Sequence, residues 1–139
     1  MKLVKWLSMI FLMLLLAWPA QASKYTSVRK FMKKVKAEQG IHYILFSGRW
    51  CPPCRKLDRL LEQAGLTDEI MIIDVSSNFG MKLMYDLKLP GIPSATIVTS
   101  KIGPSGKLEV FFSKDYRYGL NECLIFLLAH VPHPAALEK

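Results

Sequence analysis

The chain has 139 residues, of which 51% are hydrophobic and 22% charged, and its formal net charge is +8. This length and hydrophobic content allow one domain with a core of its own, and they leave no room for a second domain. The sequence contains no internal repeat and no low-complexity tract. Nucleic-acid binding is not expected, because no strand pattern of aromatic and basic residues accompanies the positive charge.

The N-terminal segment has the three parts of a secretory signal peptide. Two lysines precede an apolar run, residues 6–17, and an Ala-Gln-Ala motif ends at Ala22. The alternative is an uncleaved membrane anchor, but a spanning helix needs about 20 apolar residues, and Pro19 ends this run earlier. We therefore predict a signal peptide, residues 1–22, and an exported domain, residues 23–139. An oxidising compartment such as the bacterial periplasm is the expected location.

A basic amphipathic helix is predicted next, within residues 24–36. Apolar residues recur at helical spacing in this segment, at Val28, Phe31, Met32 and Val35. Residues 24–36 contain six lysines and arginines, and the first acidic residue, Glu38, follows them. A solvated helix face is one interpretation, and peripheral contact with an anionic surface is the other.

The rest of the chain alternates between strands and helices. Its composition predicts strands at residues 41–48, 69–75, 94–100 and 108–112, and helices at residues 54–64, 81–89 and 122–130. Gly65 is expected to end the first of these helices, and Asn121 is the predicted N-cap of the last. Strands joined through helices are typical of a parallel sheet, and the turn sequence IGPSGK adds an antiparallel hairpin. We therefore predict an α/β fold with a central mixed β-sheet flanked by helices.

Three kinds of chemistry are compatible with the pair Cys51 and Cys54. A structural zinc site needs four ligands, usually in two close pairs, whereas Cys123 and the three histidines are scattered. A static disulfide stabilises a fold mainly by closing a long loop, and residues this close in sequence close almost none. Redox exchange uses the closeness itself, because one thiolate attacks a partner disulfide and the second resolves the mixed disulfide.

The predicted position of the pair favours redox exchange. Cys51 follows a strand and precedes a helix, and a helix N-terminus stabilises a thiolate. The neighbouring cations Arg49, Arg55 and Lys56 act in the same direction. We favour the redox interpretation over the zinc site and the static disulfide.

Two motifs of this sequence resemble the thioredoxin family. The segment Trp50-Cys51-Pro52-Pro53-Cys54 is similar to the family's active site, which most often reads Trp-Cys-Gly-Pro-Cys. The later segment LKLPGIPSATIV resembles the family's Gly-Ile-Pro-Thr loop, whose proline follows a cis peptide bond and faces the cysteines. The resemblance covers roughly residues 25–131, and the run IDVSSNFGMKLMYDLKLPGIPSATIV is also similar to thioredoxin-like domains of periplasmic thiol-reducing systems.

The resemblance implies a thioredoxin-like fold and a thiol–disulfide oxidoreductase that acts on protein thiols and disulfides. Cys51 would be the exposed nucleophile and Cys54 the resolving thiol, while Trp50, Ile92 and Pro93 would bind the substrate. It further implies a cis Ile92–Pro93 bond, a monomer, a membrane-bound or soluble redox partner, and neither a cofactor nor a metal. The alternative function is a non-catalytic thioredoxin-fold module for binding or assembly at a membrane system.

The sequence departs from the family pattern near the cysteines. Leu45 occupies the position of a buried aspartate that assists the resolving thiol in thioredoxins, so another base is needed. Asp58 is a candidate one helical turn after Cys54, although a solvated helix face is its expected environment. Pro52 replaces a glycine and removes one backbone N–H donor. No histidine separates the cysteines, which favours a potential between about −270 and −180 mV over that of a strong oxidant.

Cys123 and residues 116–118 lie outside the two motifs. Cys123 lies in the most apolar predicted helix, so burial is expected rather than intermolecular pairing. The segment Tyr116-Arg117-Tyr118 is expected in a loop near the active site, where partner contact and simple surface exposure are equally open interpretations.

Overall fold

The computed structural model describes residues 24–133, and the predicted signal peptide lies outside these residues. The described part contains four α-helices and four β-strands. The helices are α1 (Val28–Ala37), α2 (Pro52–Gln63), α3 (Asn78–Asp86) and α4 (Leu120–His130). The strands are β1 (Gly40–Ser47), β2 (Ile70–Asp74), β3 (Ser94–Ile102) and β4 (Leu108–Tyr118). No helix within residues 24–133 combines the length and apolar character that crossing a membrane requires.

The strands form one mixed sheet in the order β2-β1-β3-β4. β1 and β2 are parallel and are connected through α2, since parallel neighbours need a crossover connection. β3 lies antiparallel to β1 on one side and to β4 on the other. This arrangement confirms the predicted α/β class with a central mixed sheet.

Two apolar cores lie on the two faces of the sheet, because successive side chains of a strand point to opposite faces. Leu45 of β1 belongs to the core under α2 and α4, with Leu57 and Leu127. Ile44 and Phe46 belong to the opposite core, which α1 and α3 cover. The domain is therefore a three-layer structure in which every helix rests on the sheet.

The predicted apolar face of α1 is only half buried. Phe31 and Val35 are buried in the core, whereas Val28 and Met32 are 47% and 45% exposed. The ring of Phe31 packs between Phe79 and Phe112, which fixes the side of the helix that faces the sheet. The predicted amphipathic helix is confirmed, but only two of its four apolar residues at helical spacing are buried.

Both predicted bounds of α3 are wrong by three residues, and the predicted start of α4 is wrong by two. α3 starts at Asn78 rather than Met81, because the side chain of Ser77 accepts a hydrogen bond from the N–H of Gly80 at 3.0 Å and caps the helix. It ends at Asp86, and Lys88 adopts a left-handed φ of 54° shortly afterwards. Gly119 is the N-cap of α4, so the predicted N-cap Asn121 lies inside the helix.

β4 extends six residues beyond the predicted end of the strand. After a register irregularity between Thr96 and Val98, its polar second half continues to pair with β3 as far as the pair Ser94 and Tyr118. The segment 116–118 therefore lies in a strand and not in a loop. Tyr118 nevertheless packs against Gly91, close to the Pro93 loop.

Candidate active site

Cys51 and Cys54 form a disulfide at the start of α2, directly after the turn that follows β1. Cys51 is the N-cap residue, and Pro52 and Pro53 occupy the first two helical positions, where a missing N–H costs no helical hydrogen bond. The N–H of Cys54 is consequently the first that the helix offers, and it donates to Cys51 Sγ at 3.4 Å. In the reduced protein this N–H and the helix N-terminus would both stabilise a thiolate on Cys51.

The two cysteines differ less in burial than the sequence analysis predicted. Cys51 is 4% exposed and Cys54 is 0% exposed, so the expectation of an exposed Cys51 is wrong for the disulfide form. The two cysteines differ in whether they line the surface groove. Cys51 lines an open groove on the surface, and Cys54 is not among the residues that line this groove.

The loop at Ile92 and Pro93 contacts the cysteine pair. The Ile92–Pro93 peptide bond is cis, as the resemblance implied. Cys51 Sγ lies 3.9 Å from the carbonyl oxygen of Ile92. Sheet register explains this proximity, because Ser94 at the start of β3 pairs with Phe46 near the end of β1.

Trp50 lies beside the disulfide and is 67% exposed. Its ring N–H donates to the hydroxyl of Ser76 at 3.3 Å, which ties the ring to the segment after β2. Gly48 allows the ring to lie this close, since a Cβ there would meet Ile92 Cδ1 at 3.0 Å and the indole at 3.2 Å. Trp50, Cys51 and Ile92 therefore form one continuous surface, and the structure brings the predicted site residues together.

An apolar groove of about 810 Å³ extends from this surface towards α3. We term it the redox groove, and its lining consists of Trp50, Cys51, Pro52, Val75, Met81, Met84, Tyr85, Lys88, Leu89, Gly91 and Ile92. Methionine is well suited to such surfaces, because its flexible, polarisable side chain adapts to different partners. The α3 residues of the groove were not predicted as site residues. The apolar side chains Met81, Met84 and Tyr85 at helical spacing were the available signal.

Asp58 is buried, which contradicts its predicted environment on a solvated helix face. Its side chain is 9% exposed and forms an ion pair with Lys24, which is 42% exposed. Leu45, which replaces the family's aspartate, is fully buried in the apolar core. The carboxylate nearest to Cys54 along α2 is therefore interior, although it comes from a different element from the one the family uses.

Cys123 is fully buried, as predicted, and it is a free thiol. It lies behind the Pro93 loop and its thiol donates to the carbonyl oxygens of Arg117 at 3.2 Å and Pro93 at 3.5 Å. Burial raises the pKa of this thiol to about 12. Cys123 is therefore protonated at neutral pH and acts as a small packing residue.

No group of three or more histidine, cysteine, aspartate or glutamate side chains within residues 24–133 could hold a metal ion. Both cysteines of the pair are engaged with each other in the disulfide. The described site therefore presents a sulfur pair, a backbone carbonyl and an apolar groove.

Comparison with known proteins identifies the fold. No family model matches the chain, and no curated protein matches it in sequence. Among solved structures, a thioredoxin from Plasmodium falciparum matches with a TM-score of 0.51 at 14% identity, over 76% of this chain and 83% of that one. A thioredoxin from Thermus thermophilus matches with a TM-score of 0.50 at 18% identity, over 82% of this chain and 92% of that one. The chain has the thioredoxin fold, as its two motifs implied.

Proposed function

We propose that this thioredoxin-fold protein is a thiol–disulfide oxidoreductase that exchanges disulfides with protein substrates. The observation that carries the proposal is the Cys51–Cys54 disulfide at the N-terminus of α2, with Cys51 opening onto the redox groove. In the reduced protein, the Cys51 thiolate attacks a substrate disulfide and forms a mixed disulfide. Cys54 then displaces the substrate sulfur, so the pair is oxidised while the substrate gains two electrons. The cysteine pair carries these electrons, and the cycle needs no bound cofactor.

The surroundings of Cys51 support an extended protein segment as substrate. Trp50 and Ile92 lie beside the Cys51 sulfur, and Pro93 follows Ile92 through the cis bond. A strand-like segment would place its cysteine between the indole and the Ile92 carbonyl. Exposed Met81 and Tyr85 would contact an apolar side chain next to the substrate cysteine. Protein thiols and disulfides therefore fit this site better than a small charged molecule.

The proposal is tested by turnover and by redox titration of the pair. We expect the purified protein to catalyse reduction of insulin disulfides by dithiothreitol, because Cys51 provides a stabilised thiolate at neutral pH. In glutathione buffers the Cys51–Cys54 pair should show a potential between about −270 and −180 mV, since no histidine lies between the cysteines. A protein without turnover would contradict the enzyme, and a potential near about −120 mV would contradict this redox range.

The alternative function is a non-catalytic module that docks at a membrane, and the turnover measurement also tests it. One observation favours that function, namely the exposed cations of α1 beside the exposed apolar side chains Val28 and Met32. Such a face is suited to an anionic lipid surface. The alternative requires absence of turnover together with sedimentation on phosphatidylglycerol vesicles. That binding should be lost in Lys30→Glu/Lys33→Glu and kept in the control Lys107→Glu/Lys114→Glu.

We further propose that the domain works in the periplasm as a monomer, and that a membrane-bound or soluble redox partner resets its cysteine pair. The support is the signal-peptide pattern of residues 1–22 together with a cysteine pair that needs a partner of suitable potential. Expression of the full chain in a bacterium should yield a periplasmic protein that begins at Ser23 by mass spectrometry. Recovery of the full-length chain in the membrane fraction would contradict cleavage and support an anchor.

A further inference from the structure

We infer that Asp58 accepts the proton of the Cys54 thiol when Cys54 resolves the mixed disulfide, with Lys24 holding the carboxylate in place. The inference rests on the proposed function and assigns a residue to its second step. The Asp58 carboxylate has no role in the exchange scheme given above.

Cys54 needs a nearby proton acceptor. The thiolate is the attacking species in disulfide exchange, and burial disfavours the charged form of a thiol. Cys54 is fully buried, and Leu45 on the neighbouring strand has no group that accepts a proton. Asp58 follows Cys54 by one helical turn in α2, a spacing that brings two Cβ atoms within about 5–6 Å.

The carboxylate of Asp58 is arranged to accept a proton. One of its oxygens, Oδ2, accepts a hydrogen bond from Lys24 Nζ. The other, Oδ1, is buried and has no hydrogen-bond partner among the residues that the structure describes. Burying such an oxygen without a partner is costly, so a purely structural ion pair would be expected to use both oxygens.

A cavity of about 300 Å³ next to Asp58 provides a route to solvent. Thr67 also lines this cavity, and its hydroxyl is likewise buried without a partner in the described part of the chain. A cavity of this size with charged and polar side chains in its lining can hold water. The charged groups that face Asp58 across the cavity are Lys24 from the segment before α1 and Arg55, Arg59 and Glu62 from α2.

The resolving step transfers one proton and exchanges one disulfide bond for another. The Cys54 proton passes to the Asp58 carboxylate, and the Cys54 thiolate attacks Cys51 Sγ. The bond between Cys51 and the substrate sulfur breaks, and its electron pair leaves on the substrate, which takes a proton from water. Asp58 then releases its proton through the cavity, and the Cys51–Cys54 disulfide is complete.

The two steps are separated with dithiobis-nitrobenzoate, which releases one coloured thiolate when Cys51 attacks and a second when Cys54 resolves. In Asp58→Asn we expect an unchanged first release and a second release about tenfold slower or more at neutral pH, because general-base assistance is lost. The second release should be nearly independent of pH between about pH 6 and pH 8 in the native protein. In Asp58→Asn it should rise about tenfold per pH unit, since only hydroxide then removes the proton.

Two further variants serve as controls for Asp58→Asn. Asp86→Asn removes an exposed carboxylate from the ion pair between Lys82 and Asp86 of α3 and should leave both releases unchanged. Asp58→Glu retains a carboxylate and should restore the pH-independent second release. If Asp58→Asn does not fold, the pH dependence of the second release in Asp58→Glu and in the native protein still tests the role of Asp58.

Different results would contradict the role of Asp58 and the proposed oxidoreductase function. A second release that rises about tenfold per pH unit in the native protein, or one that is equal in native and Asp58→Asn at every pH, would overturn the role of Asp58. A native protein that gives no first release would contradict the proposed function itself.

Discussion

Replacement of Cys51 by serine is expected to abolish disulfide exchange, whereas Cys54→Ser is expected to trap mixed disulfides with substrate proteins. Cys51 lines the redox groove, and its Sγ accepts a hydrogen bond from the N–H of Cys54. Cys54 is completely enclosed, so a substrate sulfur cannot reach it before Cys51 has reacted. Non-reducing electrophoresis of acid-quenched cells measures the trapped species for each variant.

The Cys123→Ala variant is the matched control for this experiment. It also removes a thiol, but one that is buried behind Pro93 and protonated at neutral pH. Exchange should continue in this variant, with stability lowered by about 1 kcal/mol through the lost hydrogen bonds. Mixed disulfides that form through Cys54 in Cys51→Ser would reverse the assigned order of attack.

Gly80→Ala is expected to lower the free energy of unfolding by about 3 kcal/mol or more. Gly80 lies in the first turn of α3, and a Cβ there would overlap the backbone carbonyl of Asp74 at the end of β2. Helix propensity alone would favour alanine by about 1 kcal/mol. The overlap outweighs this gain, because it involves backbone atoms that Ser77 also binds through its N–H and hydroxyl.

Urea unfolding of Gly80→Ala and of the control Gly103→Ala separates the two effects. A Cβ at Gly103 meets only the flexible end of the Glu109 side chain, which can move at small cost. Displacement of α3 in Gly80→Ala should also weaken exchange, since Met81 and Met84 line the redox groove. An unchanged or raised unfolding midpoint for Gly80→Ala would show that α3 does not rest on the Asp74 carbonyl.

Local physical chemistry explains why much of the fold could be predicted. Apolar runs of branched residues favour strands and apolar residues at helical spacing favour helices through local interactions, so the α/β order could be predicted. The predicted start of α2 at residue 54 is two residues late, because the two prolines occupy the first turn of the helix. The proximity of Cys51 and Ile92 was predicted by resemblance rather than by physics, because it depends on the pairing of β1 with β3.

Local sequence patterns were enough to predict the class of fold and the position of the cysteine pair, and the resemblance added the loop at Ile92 and Pro93. Which side chains of a helix are covered depends on tertiary packing, and for this reason the predicted solvated environment of Asp58 was wrong. A charged residue such as Asp58 becomes interior only if a partner reaches it, and its partner Lys24 is 34 positions away in the chain. The exposed face of α3 depends likewise on what packs against it, so the redox groove emerged only from the packed structure. Helical periodicity specifies which residues share a face, and the packing of distant segments specifies which face meets water.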